Sequence, residues 1–200
     1  MTFTETSLAG AFVIDLDLRL DNRGFFARTF SQDEFAARGL DPIVAQANVS
    51  FNHRKGTVRG MHFQFPPAAE TKLVRCTRGL ILEVIVDLRP ESPTFLEHAS
   101  VELSADNRRS LYVPKRFAHG YQVLEDGTEV SYLISHDYTP QYEGGLAYDD
   151  PGLGIMWPLA ATEMSPRDRA WPAWAEAGTS IRARMALAPA APDQGNGGHR

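Results

Sequence analysis

At 200 residues the chain is long enough for one domain with a substantial core. Its 43% hydrophobic and 22% charged content fits a globular protein in water, and a formal net charge of −5 argues against non-specific nucleic-acid binding, leaving local basic clusters to hold a small anion. No apolar stretch approaches a membrane span, the N-terminus lacks a charged-then-apolar signal pattern, and the lone Cys76 has no intramolecular disulfide partner, so a reduced, cytoplasmic setting with no membrane contact is expected.

Short apolar runs dominate the chain. Residues 11–18 open the series, and the turn pair Asp21-Asn22 follows. Ser31 with Glu34 makes a capping box ahead of Phe35-Ala36-Ala37, and Gly39 closes that short helix. Further strands are predicted at 57–63, 72–77, 80–87, 99–103, 110–113, 120–124 and 129–134, separated by turn residues such as Pro66-Pro67, Arg89-Pro90 and Asp126-Gly127. Val84, Val86 and Leu88 alternate with Ile85 and Asp87, so this strand is predicted to turn both faces inward. Ser165-Pro166 places an N-cap serine before an N1 proline and predicts a second helix. Residues 1–185 are expected to form one domain, mainly β, as an antiparallel sandwich or jelly roll. Residues 186–200 turn to Ala, Pro, Gly, Asn and Gln and are expected to be a disordered tail.

Of the six histidines, His62 and His119 each lie in an apolar β segment beside a glycine. A hydrogen-bonded core histidine explains either one alone; two in matching settings point to a site. On a strand, residues i and i+2 face the same way, so a His-x-His pair can offer two imidazoles to one metal. Here the second position is Gln64, whose amide is a poor ligand for a transition metal. The segment keeps one histidine and spaces Glu70, Lys72 and Gly79 behind it, which predicts acid–base chemistry with no metal. Cys76 has no neighbouring histidine in sequence and is expected to pack inertly.

The spacing Gly56-x5-His62-x-Gln64-x5-Glu70-x8-Gly79 resembles the first motif of the cupin superfamily, and Pro114-Lys115-Arg116-Phe117-Ala118-His119 resembles the second. A narrower resemblance runs from about residue 12 to 174. The blocks Asp21-Asn22-Arg23-Gly24-Phe25-Phe26, Gln46-Ala47-Asn48-Val49-Ser50, Arg59-Gly60-Met61-His62-Phe63-Gln64, Lys72-Leu73-Val74-Arg75-Cys76, Phe117-Ala118-His119-Gly120 and Gly154-Ile155-Met156-Trp157-Pro158 are similar to those of the dTDP-4-dehydrorhamnose 3,5-epimerase family. That resemblance implies a cupin jelly-roll homodimer, without metal or other cofactor, acting on a nucleotide-diphosphate sugar of the 4-keto-6-deoxy type.

The resemblance places a general base at His62, its carboxylate partner at Asp168, a cation for the developing enolate oxygen at Lys72, and a proton donor for the opposite face at Tyr132. A C4 ketone acidifies the hydrogens on C3 and C5, and inversion needs a base on one face and an acid on the other. Arg23, Gln46, Asn48 and Arg59 match positions around the nucleotide and its diphosphate, where forked guanidinium donors suit paired oxygens. Phe26 and Tyr138 match aromatic positions of the base and sugar site, and His119 and Glu143 match site positions of less definite role. Other roles explain several of these residues taken singly: Ser165-x-x-Asp168 is also a capping box, Phe26 and Tyr132 could be packing, and Lys72 could be an exposed strand lysine. Four departures stand out from the family pattern: Arg28 for an acid, Ala47 for aspartate, Leu133 for lysine and Arg116 for glycine. They leave open a monofunctional C3- or C5-epimerase and a CDP-linked substrate. A silent sugar-binding cupin is disfavoured by the four catalytic positions, and a metal-dependent oxygenase by Gln64.

Overall fold

The computed structural model describes residues 1–186, so of the expected tail only residue 186 is included. In chain order the elements are β1 (Thr2–Glu5), β2 (Phe12–Asp15), β3 (Arg19–Asp21), β4 (Gly24–Phe26), α1 (Gln32–Ala36), β5 (Gln46–Asn52), β6 (Val58–Gln64), β7 (Lys72–Arg78), β8 (Leu80–Asp87), β9 (His98–Ser104), β10 (Ser110–Val113), β11 (Phe117–Val123), β12 (Thr128–Ile134), β13 (Glu143–Gly145) and α2 (Trp174–Met185). A six-stranded sheet in the order β1-β2-β10-β7-β12-β5 faces a five-stranded sheet in the order β13-β6-β11-β8-β9, and β3–β4 stands apart as a hairpin. The strand pairings are antiparallel, as the jelly-roll expectation requires.

Three apolar clusters hold the sheets. Between them lie Val74, Cys76, Ile81, Ile85, Leu103, Leu111, Phe117 and Val130. The opposite face of β8, with Val84, Val86 and Leu88, packs beneath Ile181 and Met185 of α2 and beneath Leu146. The two-faced alternation of β8 is therefore realised, with its second face covered by the C-terminal helix. Burying Ile181 and Met185 there stabilises the docked helix by about 1.5–3 kcal/mol per side chain. Phe35 of α1 closes the outer face of the six-stranded sheet over Ile14, Leu73 and Tyr112.

Local signals fared unevenly. Ser31 accepts from the Glu34 N–H and Gly39 takes a φ of +72°, as the capping reading of α1 predicts. The helix predicted from Ser165 is instead a single 3-10 turn, Asp168–Ala170. Trp171 turns extended because a residue before proline, here Pro172, is pushed out of the α region. The long helix starts at Trp174, where no capping signal marked it. Strands β1, β3, β4, β5 and β13 were not foreseen, and β2 stops at Asp15 rather than residue 18. β5 escaped notice because it runs inside out: Asn48, Ser50 and Asn52 turn inward while Ala47, Val49 and Phe51 are exposed.

Arg116 adopts a φ of +64°, the left-handed region that glycine takes freely. Its guanidinium donates to the Met185 carbonyl at 2.8 Å and pairs with Glu91, so this departure fastens the end of α2 to the sheet. Among the described residues no helix is long and apolar enough to cross a membrane.

Candidate active site

A cavity of about 380 Å³ opens between the sheets. From the six-stranded sheet, Gln46, Asn48, Lys72 and Tyr132 line it; from the five-stranded sheet come Arg59, His62, Gln64, His119 and Glu143. Cross-strand register aligns these groups, setting Asn48 opposite Tyr132 and His62 opposite His119. Strict alternation from His62 would send Arg59 to the other face. A register shift in the β6–β11 pairing brings it in. Gly60 makes the shift possible: its φ is +122°, and a Cβ there would sit 2.6 Å from the Gly120 Cα.

His62 Nε2 lies 2.6 Å from Asp168 Oδ1. The carboxylate accepts from Nε2–H, which leaves Nδ1 as the basic nitrogen. Burial pushes the Asp168 carboxyl up, but the hydrogen bond and charge of His62, with help from the Ser165 hydroxyl and the Gly60 N–H, hold it below its ordinary value. Ser165 Oγ accepts from the Asp168 N–H at 3.0 Å. Half of the capping box thus forms through the backbone while the side chain serves the histidine. Trp171 flanks the His62 ring at 6.5 Å between centroids and lies directly on Gly145, where a Cβ would be 2.3 Å from the indole.

Behind His119, Nδ1 meets Glu83 Oε1 at 2.8 Å. Glu83 is completely buried, which pushes its carboxyl well above the usual range despite the opposing charge of Lys72. Burial, then the charges of Lys72 and His62, push the His119 imidazole well below its ordinary value. A neutral acid against a neutral imidazole is the state these shifts favour. Glu83 was missed from the sequence; its signal was a lone carboxylate inside the apolar run Ile81–Val86 on the inward-facing register of β8.

The remaining predicted groups are held by polar contacts. Lys72 Nζ pairs with Glu70, and Arg59 Nε donates to Asn52 Oδ1 at 2.8 Å. Tyr138 donates to Glu143 Oε2 at 3.0 Å, and Arg167 donates to the Tyr138 hydroxyl while pairing with Glu143. Gln64 points to the cavity but its amide is engaged by Glu70, Ala68, Asp137 and Thr139. Among the described residues no three His, Cys, Asp or Glu side chains gather as a metal would require. Arg23 and Phe26 are not brought to this cavity. They ride on the β3–β4 hairpin, Arg23 paired with Asp21 and Phe26 68% exposed; among the described residues Arg108 lies over Phe25 of that hairpin and leaves Phe26 open.

A jelly roll with a carboxylate-oriented histidine at the mouth of its barrel defines a cupin-type isomerase built for proton transfer. The family model described as dTDP-4-dehydrorhamnose 3,5-epimerase matches residues 5–176, and the chain belongs to that family. It is 42% identical to the dTDP-4-dehydrorhamnose 3,5-epimerase of Methanothermobacter thermautotrophicus over 84% of this chain and 92% of that protein. The Legionella pneumophila epimerase in complex with dTDP-4-keto-L-rhamnose superposes with a TM-score of 0.84 at 32% identity, covering 90% of this chain and 96% of that one. A 3'-monoepimerase from Streptomyces bikiniensis, in complex with dTDP-quinovose, gives a TM-score of 0.80 at 31% identity over 90% and 98%.

Proposed function

We propose that the protein epimerises C3 and C5 of a dTDP-linked 4-keto-6-deoxyhexose, converting dTDP-4-dehydro-6-deoxy-D-glucose to dTDP-4-dehydro-L-rhamnose. His62 Nδ1 takes the proton from the carbon next to the ketone, and the electron pair moves onto the C4 oxygen as an enolate. Asp168, 2.6 Å from Nε2, stabilises the resulting imidazolium. Lys72 donates to the enolate oxygen. Tyr132 returns a proton to the carbon from the other side, inverting it, and the ketone re-forms; a proton returned by His62 would only regenerate substrate. The carbonyl is polarised by Lys72, so the chemistry asks nothing of a metal or other cofactor.

The observation that carries this reading is the placement of His62 and Tyr132 on opposing sheets of one cavity. Gln46, Asn48, Arg59, His119, Tyr138 and Glu143 surround them and are assigned to the nucleotide-diphosphate sugar. Arg23 and Phe26 do not line this cavity, and Leu20, Phe25, Val49 and Phe51 are exposed nearby in sequence or on the edge strand β5. We assign these surfaces to a two-fold homodimer in which the hairpin of one chain reaches the cavity of the other. Residues 1–185 act as a single domain, in a reducing cytoplasm; burial pushes the Cys76 thiol up to about 11 and keeps it inert. Proton NMR of dTDP-4-keto-6-deoxyglucose with the enzyme in deuterated buffer tests the proposal: exchange and inversion at both carbons are expected. Exchange confined to C3 selects instead the monofunctional reading, the activity for which the similar Streptomyces bikiniensis 3'-monoepimerase is named. No exchange at either carbon refutes both.

A further inference from the structure

Gln64 occupies the strand face that carries His62 and lines the cavity, yet it is only 6% exposed and both atoms of its amide are engaged by protein groups. Nε2 donates to Glu70 Oε2 at 2.7 Å, to the Ala68 carbonyl at 3.0 Å and to the Asp137 carbonyl at 3.3 Å. Oε1 accepts from the Thr139 N–H at 2.6 Å. Asp137 and Thr139 flank Tyr138, which lines the cavity. Glu70, also buried, turns its other oxygen to Lys72 Nζ. One amide and one carboxylate therefore connect the Tyr138 wall of the cavity to the lysine at its floor.

The residue types suit such a connection. A lysine is a point charge on a flexible stem, and a donor stabilises developing charge only when held where that charge appears. An ammonium has three donors; Glu70 takes one and leaves two for a ligand. A glutamine side chain donates to a carboxylate and accepts from a backbone N–H at once. A carboxylate in its place would meet Glu70 as a like charge, and an apolar side chain would leave Glu70 and the Thr139 N–H without these partners.

We infer that Gln64 and Glu70 are positioning residues, a relay that sets the Lys72 ammonium and the Tyr138 segment in one geometry. The inference rests on the assignment of Lys72 to the enolate oxygen made above. The position that would hold a second metal histidine in a metal-binding cupin has become a structural crosslink between two ends of the substrate site.

Four variants test it: Lys72→Met, Glu70→Gln, Gln64→Met and the Gln64→Met/Glu70→Gln double. Each is checked for a cooperative melt, then assayed for kcat and KM by deuterium exchange at C3 and C5, and for dTDP affinity by calorimetry. Glu70→Gln keeps the volume but presents an amide to the ammonium, so kcat is expected to fall at least tenfold with KM within threefold. Gln64→Met is expected to lower kcat comparably and also raise KM and the dTDP Kd threefold or more, because the Tyr138 segment loses its tie. The double variant should fall within threefold of the worse single in kcat, the non-additivity of one shared unit. If Gln64→Met does not fold, the isosteric Glu70→Gln decides alone. Normal kcat in Glu70→Gln beside an inactive Lys72→Met overturns the relay and leaves the Lys72 assignment intact, as do fully multiplicative losses in the double. Normal exchange in Lys72→Met overturns the Lys72 assignment, and the relay with it.

Discussion

Replacing Asp168 with asparagine separates a catalytic partner from a helix cap. The substitution keeps the volume, and it spares the bond from the residue 168 N–H to Ser165 Oγ. What it removes is the charged half of the 2.6 Å contact with His62. Hydrogen bonds to charged groups contribute about 1.5–3 kcal/mol, and about 1.4 kcal/mol is a tenfold change in rate. Lost imidazolium stabilisation alone therefore corresponds to roughly 10- to 10²-fold. The asparagine amide can also donate to Nε2, which moves the ring proton to Nδ1 and blocks the base. Together these predict a loss of order 10²-fold or more in exchange at both carbons, with near-normal melting at pH 7. A lost cap would instead cost about 0.5–2 kcal/mol of stability. The pH dependence supplies a second readout. The folded-state pKa of Asp168 lies below its unfolded value, so its stabilising contribution is present above the unfolded value and lost as pH falls through the folded one. Any melting advantage of wild type over Asp168→Asn should shrink below about pH 4. A folded Asn variant with normal turnover would return Asp168 to the turn and leave His62 without its partner.

His62→Ala should abolish exchange at C3 and C5 while dTDP binding, read by calorimetry, stays largely intact; near-normal exchange at either carbon removes His62 as the base. Tyr132→Phe deletes the opposite-face donor but not the base, so deuterium wash-in should outlast inversion at one carbon or both, and unchanged inversion would reassign Tyr132 to packing. Light scattering at micromolar concentration should give twice the chain mass. Mixing Arg23→Ala chains with His62→Ala chains should restore up to about a quarter of wild-type activity, since about half of the dimers are then mixed and each mixed dimer holds one site of two with both residues; a monomer mass or no recovery would contradict the shared site.

Much of this could be read from the residues before any coordinates. Short runs rich in Val, Ile and aromatic residues, bounded by turn residues, carried β7, β8 and β12, and His62, Lys72 and Tyr132, named through the family resemblance, line one cavity. What stayed hidden has physical causes. Arg59 was named only through the family resemblance, because it reaches the cavity through a glycine-borne register shift that breaks period-two alternation. Glu83 sits in an apolar run where a lone charge looks like an interruption rather than a buried acid. Among the described residues the hairpin bearing Arg23 and Phe26 does not line the cavity that holds His62, so their place in the site rests on the proposed dimer.

The inside-out strand β5 carries a further consequence, one of folding. A slip of one residue would turn Ala47, Val49 and Phe51 into the barrel and send Gln46, Asn48 and Ser50 to water. Hydrophobicity by itself favours that slipped register, so the native one is frustrated at the level of this strand. Polar contacts oppose the slip: Ser50 Oγ meets the Tyr121 hydroxyl at 2.8 Å, and Asn52 accepts from Arg59 while donating to the Thr128 carbonyl. Arg59, assigned to the substrate, thus also helps to choose the register. Mutations that make the cavity greasier at Ser50 or Asn52 should therefore yield misregistered, aggregation-prone chains before they yield a merely weaker enzyme.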